Sequence, residues 1–178
     1  YKTTLPPKIE RIQGAIEQHR TIRFAYFSPK GESVRTVEPY YLVFHWSTWY
    51  VWGWCLERKD FRLFKLNRMT DLKTKEAFEK REIPLPDLSP EKVFPHVYWI
   101  KAKIQPEYRW RLVEEYGSAS FAEQSDGTLL FTFGFADRES IIGWIISFGD
   151  GAELLEPAEF RKDILAFVEK IQKKYIPS

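Results

Sequence analysis

The chain has few of the residues that form disulfides, zinc sites or catalytic dyads. It contains one cysteine, Cys55, and three histidines that lie far apart, His19, His45 and His96. A single cysteine excludes an internal disulfide and a zinc site built from cysteines. None of the histidines belongs to an HExxH or HxH motif. Cys55 lies in an apolar segment, so we expect a buried thiol and not a nucleophile.

The sequence motifs of several enzyme classes are also missing. There is no G-x-S-x-G, no P-loop and no G-x-G-x-x-G in the chain. Such motifs position a nucleophile or hold the phosphates of a nucleotide. The pair Glu114-Glu115 is typical of a helix surface, and nothing else sets an acid against a base. We therefore predict that the protein is not an enzyme and uses neither a cofactor nor a metal.

Long apolar runs are absent as well. No stretch approaches the roughly 20 apolar residues that a membrane-spanning helix needs. The first residues lack the apolar region of a signal peptide. Together with the single cysteine, this favours a cytoplasmic protein with no membrane partner. The only methionine is Met69, so we expect the 178 residues to be a fragment of a longer protein or a processed product.

Charge and proline divide the chain into two parts. Residues 1–83 contain 16 Lys and Arg against 10 Asp and Glu, whereas residues 84–178 contain 11 against 15. Four of the 11 prolines fall in residues 83–95, which can form neither a regular helix nor a central strand. The sequence predicts a basic domain over 1–82, a linker over 83–95 and an acidic domain over 96–178.

The two parts have different patterns of secondary structure. Residues 6–20 have apolar side chains at helical spacing, and five short β-rich segments follow, which predicts a helix and a small, strongly curved barrel. The second part has the order β-α-β-β-α-β and then a helix, the ferredoxin-like arrangement. The predicted class is α+β.

Residues 45–69 combine tryptophans with cations. Trp46, Trp49, Trp52 and Trp54 are followed by Arg58, Lys59, Arg62, Lys65 and Arg68. Both faces of the strand around Trp49 are apolar, so we expect at least two of the four tryptophans to pack in the core. Any that remain exposed would form a stacking or docking surface.

Arg62 is the cation whose position best suits binding of an anion. Alternation along a strand would place Arg62, Phe64, Leu66 and Arg68 on one face. A guanidinium there can hold a phosphate or carboxylate with two hydrogen bonds. The alternative is a structural ion pair with a carboxylate of the same domain, and the candidates are Glu38, Glu57 and Asp60. The spacing does not decide between the two.

The first part resembles the WYL domain of bacterial transcriptional regulators. The motif that names the family is present as Trp49-Tyr50-Val51, and its next strand as residues 62–69, RLFKLNRM. Two upstream strands correspond to residues 22–26, IRFAY, and residues 37–42, VEPYYL. Two positions depart from the pattern, because Val51 stands for Leu and Asn67 stands where Asp is common. The second part is similar to the C-terminal extension that often follows such a domain.

The resemblance implies an Sm-like barrel that senses a ligand, which in some members is single-stranded nucleic acid or a nucleotide. It also implies a winged helix-turn-helix before Tyr1, through which the protein would bind promoter DNA. We expect a homodimer in which the second domain makes subunit contacts or gates the barrel.

The hypothesis for the site is an anionic ligand on the barrel, with Arg62 as the main anchor. Arg68, Lys65 and Arg58 would support it, and Tyr26, His45, Trp49 and Tyr50 would supply hydrogen bonds or stacking. For Trp49 and Arg68, a role in holding the barrel together is an equal alternative. A different hypothesis is a protein interaction module that has no small-molecule or nucleic-acid ligand.

Overall fold

The chain folds into two compact units, Tyr1–Val93 and Phe94–Ser178. The computed structural model describes residues 5–45, 48–94 and 97–177. Expectations that concern Trp46, Ser47 or His96 therefore lie outside the described residues. Each unit contains helices and one antiparallel sheet, so the predicted α+β class is confirmed. The domain boundaries at 82 and 95 remain predictions.

The first unit contains one long helix and five strands. The elements are α1 (Leu5–Glu17), β1 (Arg20–Ser28), β2 (Gly31–His45), β3 (Thr48–Cys55), β4 (Asp60–Lys65) and β5 (Met69–Ala77), with a 3-10 turn at Leu66–Arg68. Helix α1 buries Ile12 and Ala15 against the sheet, where they join a core that includes Phe24, Val51 and Phe64.

The five strands form one open sheet in the order β4-β3-β2-β1-β5. The predicted closed barrel is not confirmed, because the described strands β4 and β5 do not pair. These strands follow each other in sequence, but the turn at Leu66–Arg68 separates them, and β5 pairs with β1 from Tyr26↔Met69 onward. Strand β2 is long enough to pair with β1 through its first half and with β3 through its second.

Strands β2 and β3 come unusually close where β2 changes partner. The pairing shifts register between Pro39 and Tyr41, and Gly53 lies opposite Pro39. A Cβ atom on Gly53 would lie 2.4 Å from the carbonyl oxygen of Glu38 and 2.7 Å from Cγ1 of Val37. Only glycine fits at this position without moving the backbone of β2.

The segment after β5 lies along the first unit without regular structure until the short helix α2 (Pro90–Val93). Three side chains of β2 contact it, and one of them is Glu38, which binds the guanidinium of Arg81. The Tyr40 hydroxyl accepts a hydrogen bond from the backbone N–H of Arg81 at 3.0 Å. Nε2 of His45 lies 2.7 Å from the carbonyl oxygen of Leu88. The segment is therefore held on the sheet at Arg81, before its proline-rich part, and at Leu88 within that part.

The second unit has the predicted β-α-β-β-α-β order followed by a helix. Its elements are β6 (Tyr98–Ile104), α3 (Arg109–Tyr116), β7 (Phe121–Glu123), β8 (Leu129–Phe135), α4 (Arg138–Ile146), β9 (Ala152–Glu156) and α5 (Ala158–Tyr175). The sheet order is β7-β8-β6-β9. Asp137 caps α4 by accepting a hydrogen bond from the N–H of Ser140 at 2.8 Å, because the first N–H groups of a helix have no partner within it.

The core of the second unit lies between one face of this sheet and the helices. Alternate residues of β6, Ile100, Ala102 and Ile104, are buried together with Leu112 of α3 and Ile141 of α4. No helix in the described ranges is both long enough and apolar enough to cross a membrane.

Replacement of Gly53 by alanine tests the close approach of β2 and β3. We expect Gly53→Ala to lower the free energy of unfolding by about 1–3 kcal/mol, since the added methyl group overlaps a backbone carbonyl. Gly14→Ala is the control. No atom lies within 4 Å of its Cβ position in α1, so this change should stabilise by about 0.5–1 kcal/mol. Urea denaturation followed by tryptophan fluorescence measures both, and equal effects would contradict the explanation.

Candidate ligand-binding site

Arg62 lies in β4, opposite Gly53 of β3. It shares the core-facing side of the sheet with Phe64, but Phe64 is buried and Arg62 is exposed. The residue that faces Arg62 has no side chain, so nothing on β3 covers the guanidinium. The same glycine that permits the close approach of β2 and β3 thus leaves Arg62 open.

Arg62 makes no hydrogen bond or ion pair with any described residue. Of the three carboxylates that the sequence suggests as partners, Glu38 lies opposite Trp54 on the other face of the sheet and binds Arg81, with Nε and Nη2 at 2.7 and 3.1 Å. Glu57 accepts hydrogen bonds from the N–H of Thr36 at 2.8 Å and from Sγ of Cys55 at 3.3 Å. Glu38 and Glu57 therefore have other partners, and the carboxylate of Asp60 forms no hydrogen bond or ion pair with any described residue, so the guanidinium remains available to an anion.

Lys65 is the last residue of β4, and Arg68 is the last residue of the turn that follows it. The backbone N–H of Lys65 donates to the hydroxyl of Tyr26 at 3.1 Å, which fixes the end of the strand. Residues 66–68 form a 3-10 turn, so the strand alternation predicted to continue to Arg68 stops at Lys65. Arg68 is half-buried and, among the described residues, forms no hydrogen bond or ion pair.

Lys8 is a cation of this region that the sequence did not reveal. Its ammonium group donates to the carbonyl oxygen of Leu66 at 3.2 Å, which brings α1 to the turn that carries Arg68. Burial lowers the pKa of the Lys8 ammonium below its ordinary value. No spacing rule links residues 58 positions apart.

The other proposed residues have mixed environments. Trp49 is half-buried, packs against the core of the first unit, and lies 5.2 Å from the ring of Phe44. Tyr50 is buried, and His45 contacts the carbonyl of Leu88. Arg58 is exposed in the turn between β3 and β4. The structure thus brings Tyr26, Lys65 and Arg68 around one turn, places Arg62 on the strand before it, and directs His45 to the proline-rich segment.

Trp52 and Trp54 belong to a separate cluster on the other face of the sheet, which also contains Tyr40, Phe61 and Arg81. Trp52 stacks on Phe61 with ring centroids 4.3 Å apart. The guanidinium of Arg81 lies 4.3 Å from the ring centre of Trp54. Both tryptophans are half-buried and serve packing, so they do not provide the open platform that was one alternative.

The remaining polar chemistry of the first unit is structural. Cys55 is buried, as predicted, and burial raises the pKa of its thiol, which Glu57 raises further. A thiol with a raised pKa is a poor nucleophile at neutral pH. In the described part of the chain, no three His, Cys, Asp or Glu side chains are grouped so as to hold a metal ion. The site offers cations and aromatic rings, which suits binding of an anion.

The ion pair between Glu38 and Arg81 should be important for stability. The carboxylate is only 9% exposed, so loss of its partner leaves a nearly buried charge. We expect Arg81→Ala to cost about 2–3 kcal/mol in unfolding free energy. The control is Lys73→Ala, which breaks an exposed pair with Asp71 and should cost less than about 1 kcal/mol. Denaturation midpoints measure both, and equal losses would show that Glu38 is solvated.

Comparison with known proteins gives the family of each unit. A WYL domain model matches residues 7–74, and a WCX domain model matches residues 96–172. An uncharacterised HTH-type transcriptional regulator, YobV of Bacillus subtilis (strain 168), is 33% identical over 172 residues. The match covers 93% of this chain and 55% of YobV, so the chain spans about half the length of that relative.

Two solved structures have a distant likeness. The proteasome accessory factor B/C (PafBC) of Arthrobacter aurescens is 21% identical with a TM-score of 0.45, and the match covers 99% of this chain and 29% of that one. The crystal structure of a CRISPR Cas-related protein is 11% identical with a TM-score of 0.49, covering 94% of this chain and 51% of that one.

Proposed function

The chain belongs to the WYL-domain family, and we propose that it is the ligand-sensing and dimerisation region of a bacterial DNA-binding transcriptional regulator. The WYL domain match over residues 7–74 and the similarity to YobV support a role in transcription regulation. YobV is an HTH-type regulator and is longer than this chain. The protein would act as a homodimer in the cytoplasm. It would bind promoter DNA through a helix-turn-helix outside these 178 residues.

The observation that carries the proposal is the free guanidinium of Arg62. The carboxylates of Glu38 and Glu57 have other partners, and Glu38 lies on the opposite face of the sheet. A guanidinium donates two parallel hydrogen bonds to a phosphate or carboxylate. We therefore assign Arg62 as the anchor of an anionic ligand, and nucleic acid or a nucleotide is the class that we propose.

The supporting cations lie on the same part of the first unit. Lys65 ends β4, Arg68 lies in the turn after it, and Arg58 lies in the turn before it. Together they would attract a ligand with more than one negative charge. Tyr26 can donate its hydroxyl proton while it accepts from Lys65, and Trp49 and Tyr50 would supply ring surface. His45 would act through its contact with the proline-rich segment.

Ligand binding can regulate the protein only if the ligand prefers one arrangement of the domains. The segment between the domains is held on β2 by Tyr40, which contacts Arg81, and by His45, which contacts Leu88 in the proline-rich part. In the proposed mechanism, an anion on the first unit changes these contacts and so changes how the two domains are connected.

The alternative is a module that binds another protein chain. The observation that favours it is the exposed ring of Phe44. This ring lies against Trp49, where β2 ends and β3 begins. Aromatic rings that reach the surface together are typical of docking sites. In this case the cations would be ordinary solvated side chains and Arg62 would have no ligand.

The two functions differ in their response to salt. The experiment is a fluorescence titration of the chain with short single-stranded oligonucleotides and free nucleotides at two salt concentrations. Three or four phosphate contacts predict a slope of about −2 to −3 in log affinity against log salt for a single strand. Absence of binding at both salt concentrations would reject the nucleic-acid and nucleotide proposal.

Arg62→Ala tests the anchor. We expect a loss of about 1.5–3 kcal/mol in binding free energy to the same oligonucleotide, since a charged hydrogen-bonded pair is removed. Arg23→Ala is the matched control. Arg23 is also exposed, but it lies in β1, three strands away from β4. If both variants bind alike, the site assignment is wrong even though the family is correct.

A further inference from the structure

Strand β2 contains two consecutive tyrosines that face the same side of the sheet. The pairing with β3 shifts register between Pro39 and Tyr41, so Tyr40 is the extra residue of a β-bulge. Neighbouring residues of a regular strand point to opposite faces. Here the rings of both tyrosines lie next to Trp52, with centroids 6.2 and 5.9 Å from its ring. Bulges that redirect side chains in this way are frequent beside binding sites.

The two tyrosines line a cleft together with residues 80–84 of the segment that follows β5. The cleft has a volume of about 510 Å³, which is within the range of small-molecule sites. A smaller recess of about 70 Å³ shares both tyrosines and Lys80 with the cleft, and its other lining residues are Ile16, His19, Pro39 and Phe78. The two spaces therefore lie on the same surface of the first unit.

Hydrogen bonds hold this segment next to the sheet at both sides of Lys80. The backbone N–H of Phe78 donates to the carbonyl oxygen of His19 at 2.8 Å. The backbone N–H of Arg81 donates to the hydroxyl of Tyr40 at 3.0 Å. The cleft is thus formed without a ligand, and a site that is already organised loses little binding energy to ordering.

The recess suits an aromatic ring. The ring of Phe78 lies 5.8 Å from that of Tyr40 and 6.2 Å from that of His19. A further ring that enters at an angle to these rings gains more than the burial of its area alone. The space holds several non-hydrogen atoms, since a single water molecule needs only about 10–15 Å³.

Two charged side chains of the cleft have no partner in the part of the chain that the structure describes. Lys80 and Glu82 are exposed, and neither side chain forms a hydrogen bond or ion pair there. Arg81, which lies between them, is neutralised by Glu38. The cleft therefore presents one positive and one negative charge. A simple anion would be repelled by Glu82 and a simple cation by Lys80, whereas a zwitterion can pair with both.

From these features we propose that the cleft is a second binding site of the first unit, for an aromatic α-amino acid. The ring of the amino acid enters the recess, its carboxylate pairs with Lys80, and its ammonium group pairs with Glu82. The Tyr41 hydroxyl can donate a hydrogen bond to the carboxylate. Arg62 lies on the opposite face of the sheet, so this site is separate from the proposed anion site.

The position of the cleft gives the amino acid a regulatory role. A ligand there contacts both β2 and the segment that leads to the second domain. It therefore favours the arrangement in which that segment is attached to the sheet, because binding stabilises the state that binds better.

The test is isothermal titration calorimetry of the 178-residue chain at neutral pH with three probes that carry the same ring. L-phenylalanine has both charges, 3-phenylpropionate has only the carboxylate, and 2-phenylethylamine has only the ammonium group. We expect phenylalanine to bind with a dissociation constant of about 1 mM, as is usual for a ligand of this size in an open cleft. Each analogue should bind about fivefold more weakly, since it lacks one ion pair at an exposed site.

Reversal of one charge makes the test specific. Lys80→Glu should weaken phenylalanine binding about tenfold and should strengthen 2-phenylethylamine binding about fivefold, because two carboxylates then face the ammonium group. This gain of affinity cannot result from misfolding. Lys30→Glu is the matched control. Lys30 is also exposed but lies in the turn between β1 and β2, outside the cleft, so the change should alter neither affinity.

Three results would each overturn the proposal. They are absence of phenylalanine binding at about 10 mM, ten times the expected dissociation constant, equal affinity for phenylalanine and either analogue, and equal effects of Lys80→Glu and Lys30→Glu. Failure here is distinguishable from failure of the proposed function, because these titrations contain no oligonucleotide. A chain that binds phenylalanine through Lys80 but binds no nucleic acid or nucleotide would support this inference and reject the ligand proposed for Arg62.

Discussion

The close approach of β2 and β3 at Gly53 is the constraint on which the first unit depends. At this point β2 ends its pairing with β1 and takes β3 as its neighbour, and the backbone of Glu38 lies where a side chain on Gly53 would be. The missing side chain has a second consequence on the other neighbour of β3, since Arg62 of β4 faces it and stays uncovered. Gly53 therefore affects both the packing of the backbone and the exposure of the proposed anchor.

Two arginines of the first unit show how the same side chain can serve structure or binding. The guanidinium of Arg81 contacts the nearly buried carboxylate of Glu38 and the ring of Trp54. Its backbone N–H donates to the hydroxyl of Tyr40. Its charge is neutralised within the fold, and hydrogen bonding to Glu38 raises the pKa of its guanidinium. Arg62 has no described partner. Glu38 lies opposite Trp54 and so faces the other side of the sheet from Arg62, where it binds Arg81.

Much of this fold could be predicted from the sequence, because periodicity and turn residues are local. The order of elements in both units follows from them, and the WYL resemblance, based on residues 22–69, is confirmed by the domain match. The closed barrel that the sequence predicts is not confirmed. Pairing of β4 with β5 depends on the turn at Leu66–Arg68, and no sequence pattern specifies the geometry of that turn. The pair Glu38–Arg81 joins residues 43 positions apart and involves an irregular segment, so spacing could not reveal it.

The arrangement of contacts also bears on how the first unit could act as a sensor. Arg62 faces Gly53, Gly53 lies against the carbonyl of Glu38, and the carboxylate of Glu38 holds Arg81 at the start of the segment that leads to the second domain. These four residues form one continuous set of contacts from the proposed site to that segment. Signal transmission also requires an element with two stable arrangements. The best candidate is the irregular segment itself, because it is fastened by a few side-chain contacts that can break without unfolding a strand.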